Sequence, residues 1–308
     1  PAGEAASTTD FDGVVVVYPK SAEDEATECS RVFGERKVSR IRLGQQDGKL
    51  GFDHWEMDAS LPDWRHSGLD RMVREFCETH RCRRIQIVFV PGKASGELTP
   101  EGILSSQREG VMALCRLCQW IGQDSAGAEV VRLVTLHWGI DPLLDDGGNP
   151  LNSELEGFVR NAGRELPALK TLTMAFAAEA TEFSAAGLPW LQGAGEGWVA
   201  VQDGVVYERK LQPVRLPSEL PSAFRHGGAY VILGGAGGIG LALAEYLLKH
   251  YDARLLLIGR SASDAALERE LDRLRLIGGA VSYASADATQ PELLGSILRD
   301  FKQGTGAI

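Results

Sequence analysis

The sequence is short of three things, and each shortage excludes a class of function. Its 308 residues include only five cysteines, an odd number, so no disulfide framework is expected and the thiols are read as reduced. Positive charge is in the minority, 32 Lys and Arg against 42 Asp and Glu. The formal net charge of −10 argues against nucleic acid as a partner, because binding a phosphate backbone needs clustered cations that release counterions. No apolar run approaches the roughly 20 residues that span a bilayer. Val14 to Val17 is too short even for the core of a secretory signal. No membrane partner is therefore expected, and the expected setting is cytoplasmic. The six His are scattered without ligand spacing, so no metal site is expected.

What is present is an ordinary globular composition, 44% hydrophobic and 24% charged, in a chain long enough for two cores. Cys115 and Cys118 form C-x-x-C, a spacing that serves redox or metal chemistry elsewhere. Val111, Leu114, Cys115, Cys118 and Ile121 recur at helical spacing, however, and no second Cys or His pair accompanies them. Two buried core thiols are the better reading. Arg81-Cys82-Arg83-Arg84 precedes an apolar run and reads as a solvated strand entrance.

The first two hundred residues alternate short β-branched runs with amphipathic stretches. Val14 to Tyr18, Ile85 to Val90, Val130 to Trp138 and Thr171 to Ala177 read as buried strands, and Leu69 to Thr79, Ser106 to Ile121 and Glu154 to Glu165 as helices. This rhythm predicts a parallel sheet covered on both faces. After the first strand comes Pro19-Lys20-Ser21-Ala22-Glu23-Asp24-Glu25, with no glycine and three carboxylates. Such a segment can neither approach a pyrophosphate closely nor tolerate its charge, so the first sheet is expected to be structural. Gln202-Asp203-Gly204 between two β-rich runs signals a hairpin. Three prolines, Pro213, Pro217 and Pro221, then mark a linker. The expected division is 1–211, a linker 212–227, and 228–308.

The chemistry concentrates in the last part. Tyr230 to Leu233 is a short apolar strand. Gly234-Gly235-Ala236-Gly237-Gly238-Ile239-Gly240 follows, then a helix with Leu241, Ala244, Leu247 and Leu248 on one side. Strand, glycine turn and helix stand in the order of a dinucleotide fold. Gly234 would permit the tight turn, Gly238 would admit the pyrophosphate, and Gly240 would let helix pack on strand. The next strand, Arg254 to Ile258, ends in Gly259-Arg260-Ser261. A cation there suits the 2′-phosphate of NADP, with Ser261 a further donor, so NADPH is expected rather than NADH. The bland reading of Arg260 is a solvated side chain at a strand end. Leu267, Leu271, Leu274 and Ile277 predict a crossover helix before the strand Ala280 to Ser285. Asp287 and Ala288 follow at the carboxyl edge of the sheet, where ligands bind. Position alone suits Asp287 equally to an adenine amino group and to capping a helix that begins near Pro291.

These residues resemble a known family. Leu233 to Gly240, Leu255 to Ser261 and Ala286 to Thr289 are similar to successive motifs of ketoreductase domains in modular polyketide synthases, members of the short-chain dehydrogenase/reductase superfamily. Upstream, Glu156 to Glu165 and Asp203 to Leu211 resemble stretches of those domains' non-catalytic subdomain. Leu233 departs from the pattern, standing where the family usually has Thr. The resemblance implies two Rossmann-like, doubly wound α/β units, the first degenerate and without a nucleotide motif, the second a partial NADP-binding unit. It also implies NADPH-dependent reduction of a β-ketoacyl thioester on an acyl carrier protein, among neighbouring synthase domains.

The expected cofactor residues are Gly234, Gly235, Gly237, Gly238, Ile239, Gly240, Arg260, Ser261, Asp287 and Ala288. The family's catalytic Ser, Tyr and Lys have no counterpart here, since none of Tyr207, Tyr246 and Tyr283 is followed by Lys at the fourth position. Structure and cofactor binding without reduction are therefore expected of this stretch. A non-catalytic scaffold module of a synthase is the alternative.

Overall fold

The computed structural model describes residues 11–60, 64, 67–92, 98–123, 129–139, 150–152, 154–177, 187–193, 195–215 and 222–305. The chain forms two compact units, Pro1–Gln212 and Pro213–Ile308.

In the first unit the apolar runs become the centre of a nine-stranded sheet. Its strands are β1 (Gly13–Pro19), β2 (Lys37–Gly44), β3 (Gly48–Gly51), β4 (His54–Asp58), β5 (Arg84–Phe89), β6 (Glu129–Trp138), β7 (Lys170–Phe176), β8 (Gly197–Gln202) and β9 (Val205–Glu208). The spatial order is β3-β4-β2-β1-β5-β6-β7-β8-β9. All neighbours are parallel except β3–β4 and β8–β9, the antiparallel pairs at the two edges. The chain runs outward from β1 on one side and returns to β5 on the other, so the order reverses between β1 and β5. That is the switch point of a doubly wound fold.

Strand alternation divides the core into two faces. Val15 and Val17 pack with Leu69, Met72 and Phe76 of α2 (Gly68–His80) and with Leu114 and Leu117 of the helix Ala113–Ile121. Val14, Val16 and Tyr18 pack with Ala26 and Cys29 of α1 (Glu23–Arg31).

Three regions differ from the reading of the sequence. Residues 37–58 form β2 to β4, which the sequence analysis did not identify. In β2 the buried Ser39, Ile41 and Leu43 alternate with Arg40 and Arg42, a one-sided pattern of period two with little apolar content. The single helix expected over Ser106–Ile121 is two helices, α3 (Pro100–Gln107) and α4 (Ala113–Ile121), joined by a π turn over Arg108–Met112. Gly110 leaves helical geometry there, with φ −99° and ψ −105°, at a residue with no side chain to resist the change. Of the two thiols expected in the core, Cys118 is buried and held protonated by burial, its pKa pushed up to about 12, but Cys115 is only half-buried.

Other expected local features are present. Glu154–Glu165 is the helix α5. Asp203 and Gly204 carry the positive φ angles, 50° and 74°, of the expected hairpin turn. Arg83 and Arg84 open β5 by donating their backbone N–H groups to the Asp12 carboxylate. Of the linker prolines, Pro217 and Pro221 lie outside the described residues. Ser222 to Gly227, inside the stretch read as linker, pack on the second unit: Phe224 lies edge-on to Tyr230, and Gly227 N–H donates to Tyr251 O at 2.7 Å.

One buried group makes the first unit acid-sensitive. His137 of β6 is 2% exposed, and burial lowers its pKa from 6.5 to about 3. The folded ring stays neutral where an unfolded one takes up a proton, so stability is complete above pH 6.5 and is lost as pH falls towards 3. The loss at pH 5 is about 2 kcal/mol. Denaturant unfolding at pH 8 and pH 5 should show this difference, and His137→Gln should shrink it; an unchanged difference in the variant would assign it to other groups.

Candidate functional site

The second unit is a three-stranded parallel sheet, β10 (Ala229–Leu233), β11 (Arg254–Gly259) and β12 (Ala280–Ser285), in the order β10-β11-β12. Helices α7 (Gly238–Tyr251) and α8 (Ala265–Arg275) cover one face, with Ala244, Leu247, Leu271 and Leu274 on Leu255 and Leu257. The helix α9 (Pro291–Thr305) covers the other through Leu294, Ile297, Leu298 and Phe301 on Leu256 and Ile258.

The glycine turn hangs from β11. Gly234 and Gly235 both donate their N–H groups to Ile258 O, at 2.7 and 3.2 Å, and Gly237 N–H closes the turn on Gly234 O at 2.9 Å. Gly234 has φ +72°, a conformation that strains any other residue. A Cβ on Gly235 would lie 2.7 Å from Leu257 Cβ, so Gly235 is the residue that seats the turn on the neighbouring strand. A Cβ on Gly240 would lie 2.6 Å from Gly235 Cα. Gly240 thus lets the start of α7 lie close against the residues that continue β10. A Cβ on Gly238, by contrast, would meet nothing within 4 Å, so the backbone there faces open space.

Helix α7 starts at Gly238 with no side-chain cap and no acidic residue in its first turn. Its first N–H groups lack intrahelical acceptors and carry the positive end of the helix dipole. Ile239, in that turn, is 89% exposed. This is an anion cradle open to solvent, and the glycines fit a pyrophosphate.

The first unit presents the opposite chemistry at the same point of its sheet. Helix α1 opens on Glu23, Asp24 and Glu25. The hydroxyl of Tyr18, on the last turn of β1, donates to Glu23 Oε1 at 3.0 Å and lies 2.8 Å from His54 Nε2. Arg40 can only donate to His54 Nδ1, at 3.2 Å, so in the neutral ring Nε2 carries the hydrogen that reaches Tyr18. Tyr18, Glu23, His54 and Arg40 are thus joined by hydrogen bonds beside a helix start that carries three carboxylates.

Arg260 and Ser261 lie exposed just past β11. Their backbone is held from β12: Tyr283 Oη donates to Ser261 O at 2.6 Å and Ser285 Oγ to Arg260 O at 3.4 Å. The loop ends on Asp264, whose Oδ1 accepts from the N–H groups of Ala266 and Leu267 at 3.0 and 2.8 Å and caps α8. The sequence analysis missed these three braces, though an Asp just before an apolar-periodic stretch is a readable cap signal. Asp264→Ala should cost about 1 kcal/mol. Amide exchange in α8 should then speed up about fivefold, and unaltered exchange would show that the cap does not stabilise the helix.

Asp287 makes its hydrogen bonds just ahead of α9. Its Oδ1 accepts from Thr289 N–H at 2.9 Å and Thr289 Oγ1 at 2.8 Å, which braces the turn before α9 rather than the helix itself. Those two bonds, with a smaller contribution from the charge of Arg260, hold its pKa below the usual carboxylate value. Ala288 is half-buried beside it. Among the described residues no group of three or more His, Cys, Asp or Glu could hold a metal ion, and no helix is long and apolar enough to cross a membrane.

Comparison with known proteins bears on this arrangement. Residues 228–308 match the family model described as KR domain. Polyketide synthase ThaG of Burkholderia thailandensis is 32% identical over 230 residues, 72% of this chain and 4% of that synthase. Polyketide synthase PksN of Bacillus subtilis is 29% identical over 208 residues, 65% of this chain and likewise 4% of the relative. The chain therefore spans a small part of the curated relatives it matches. Among solved structures, an N-terminal ketoreductase from the macrolactin assembly line superposes with a TM-score of 0.69 at 16% identity, over 100% of this chain and 61% of that one, a likeness of fold. Residues 228–308 therefore belong to the KR domain family, and the longer stretch is similar to modular polyketide synthases.

Proposed function

We propose that this chain supplies the scaffold and the NADPH-binding part of a ketoreductase that converts a β-ketoacyl thioester, carried on an acyl carrier protein, to the β-hydroxy form. The observation that carries the reading is the uncapped start of α7 behind Gly234–Gly240, free of acidic residues. In this reading the backbone from Gly235 to Gly240 receives the pyrophosphate. Arg260 and Ser261 take the 2′-phosphate, and Asp287 and Ala288 border the adenine. Bound NADPH supplies the hydride. The residues of this chain bind and orient the cofactor, and no residue here is assigned to proton transfer. Neighbouring synthase domains and the acyl carrier protein are the expected partners, and the chain alone is expected to bind cofactor without turnover.

Titration of the chain with NADPH, followed by the fluorescence of the reduced nicotinamide, tests this. Saturable binding that NADP⁺ competes away is expected. Absence of binding to the folded chain would overturn the reading.

A further inference from the structure

The first unit has a cavity of about 1020 Å³ at the carboxyl ends of β1, β2 and β4. That volume is at the upper end of the range of small-molecule sites. Its walls combine two chemistries. Leu43, Ala59, Trp64 and Met112 form an apolar part, and Lys20, Arg42, Arg108 and Arg116 bring four cations against the two carboxylates Glu56 and Glu109. An excess of two positive charges in one cavity stands out in a chain of net charge −10.

Most of these charged groups are already engaged. Arg42 is paired with Glu56, Arg116 donates to Ala59 O at 3.0 Å, and Glu109 accepts from Ser21 Oγ at 2.6 Å. Lys20 and Arg108 are exposed, and the charge of Lys20 also helps hold the Glu56 carboxyl below its usual pKa. The two cations come from different elements, Lys20 from the residue after β1 and Arg108 from the π turn. The kink at Gly110 is the second observation, because it separates α3 from α4 and brings Arg108, Glu109 and Met112 to the cavity wall.

We propose that this cavity binds a small organic anion, with an apolar body against Ala59 and Met112 and a single phosphate or carboxylate group held between Lys20 and Arg108. A dinucleotide is the wrong occupant, because Glu23, Asp24 and Glu25 guard the adjoining helix start. The site is independent of the cofactor reading of the second unit.

The test is titration calorimetry of the full chain with 1-naphthyl phosphate, 1-naphthoate and 1-naphthol. The phosphate or the carboxylate, or both, should bind at least tenfold more tightly than the neutral naphthol, and which of them does so identifies the anionic group. The double variant Lys20→Ala/Arg108→Ala should lose at least tenfold in affinity, and Arg108→Glu at least as much. Both carry changes at exposed positions, and thermal melts matching the parent chain verify the fold. Gly238→Asp, which places a carboxylate in the anion cradle of the second unit, should leave the affinity unchanged. Equal binding of naphthol, no anion binding, undiminished binding in the double variant, or a loss confined to Gly238→Asp would each overturn the proposal.

Discussion

Replacing Arg260 by alanine is expected to weaken NADPH binding about 10- to 100-fold and NADH binding less than about threefold. The two cofactors differ only in the 2′-phosphate, so a cation that recognises this group acts on one and not the other. A guanidinium meets a phosphate with two parallel, charge-assisted hydrogen bonds, and loss of such a pair corresponds to roughly 1.5–3 kcal/mol. Arg260→Lys should be intermediate, since a point charge replaces the fork. The side chain is exposed and its backbone is held separately by Ser285 and Tyr283, so the substitution should leave the fold intact. Parallel titrations with the two reduced cofactors read the effect, and the preference should shrink as salt is raised. Equal losses for both, or none for NADPH, would return Arg260 to a solvated residue at a strand end.

Arg132→Met should destabilise the first unit by about 3–5 kcal/mol, the largest effect on stability expected of a single substitution here. Arg132 is 2% exposed on β6 and donates to Gln86 Oε1, Leu191 O, Trp190 O and Gly195 O, at 2.6 to 3.1 Å. Burial depresses its pKa to about 10, with Glu196 opposing, which measures the cost of keeping the charge inside. Two effects compete: methionine removes that cost but takes the guanidinium donor from Gln86 Oε1, Trp190 O and Gly195 O, while Leu191 O keeps the amide of Gln86. Each orphaned buried carbonyl costs about 1–3 kcal/mol, so the loss of partners outweighs the relief. Those carbonyls belong to α6 (Leu188–Gln192) and to Gly195, so Arg132 ties this segment to β6. Denaturant unfolding of parent and variant decides the point. A methionine variant as stable as the parent would mean that the buried charge had cancelled the value of its bonds.

The two units contrast in how their first helices open. Both are Rossmann-like, yet α7 opens on glycines and α1 on three carboxylates. The first sheet keeps its fold because its stability comes from continuous apolar strands, which do not depend on a phosphate-binding turn.

What the sequence determined by itself is whatever depends on neighbouring residues. The buried strands were readable because each is a run of apolar residues, the hairpin because Asp203-Gly204 accepts positive φ, and the anion cradle because strand, glycines and helix are contiguous. Tertiary structure decided what depends on partners far along the chain. Tyr18 meets His54 across 36 positions, Arg132 meets Leu191 across 59, and both encounters require parallel strands joined by crossovers. Periodicity states which face of a strand is buried but not which strand lies beside it. The pairing of β2 with β4, the bend at Gly110 and the use of the Asp287 carboxylate by Thr289 therefore appear only once the sheets are assembled.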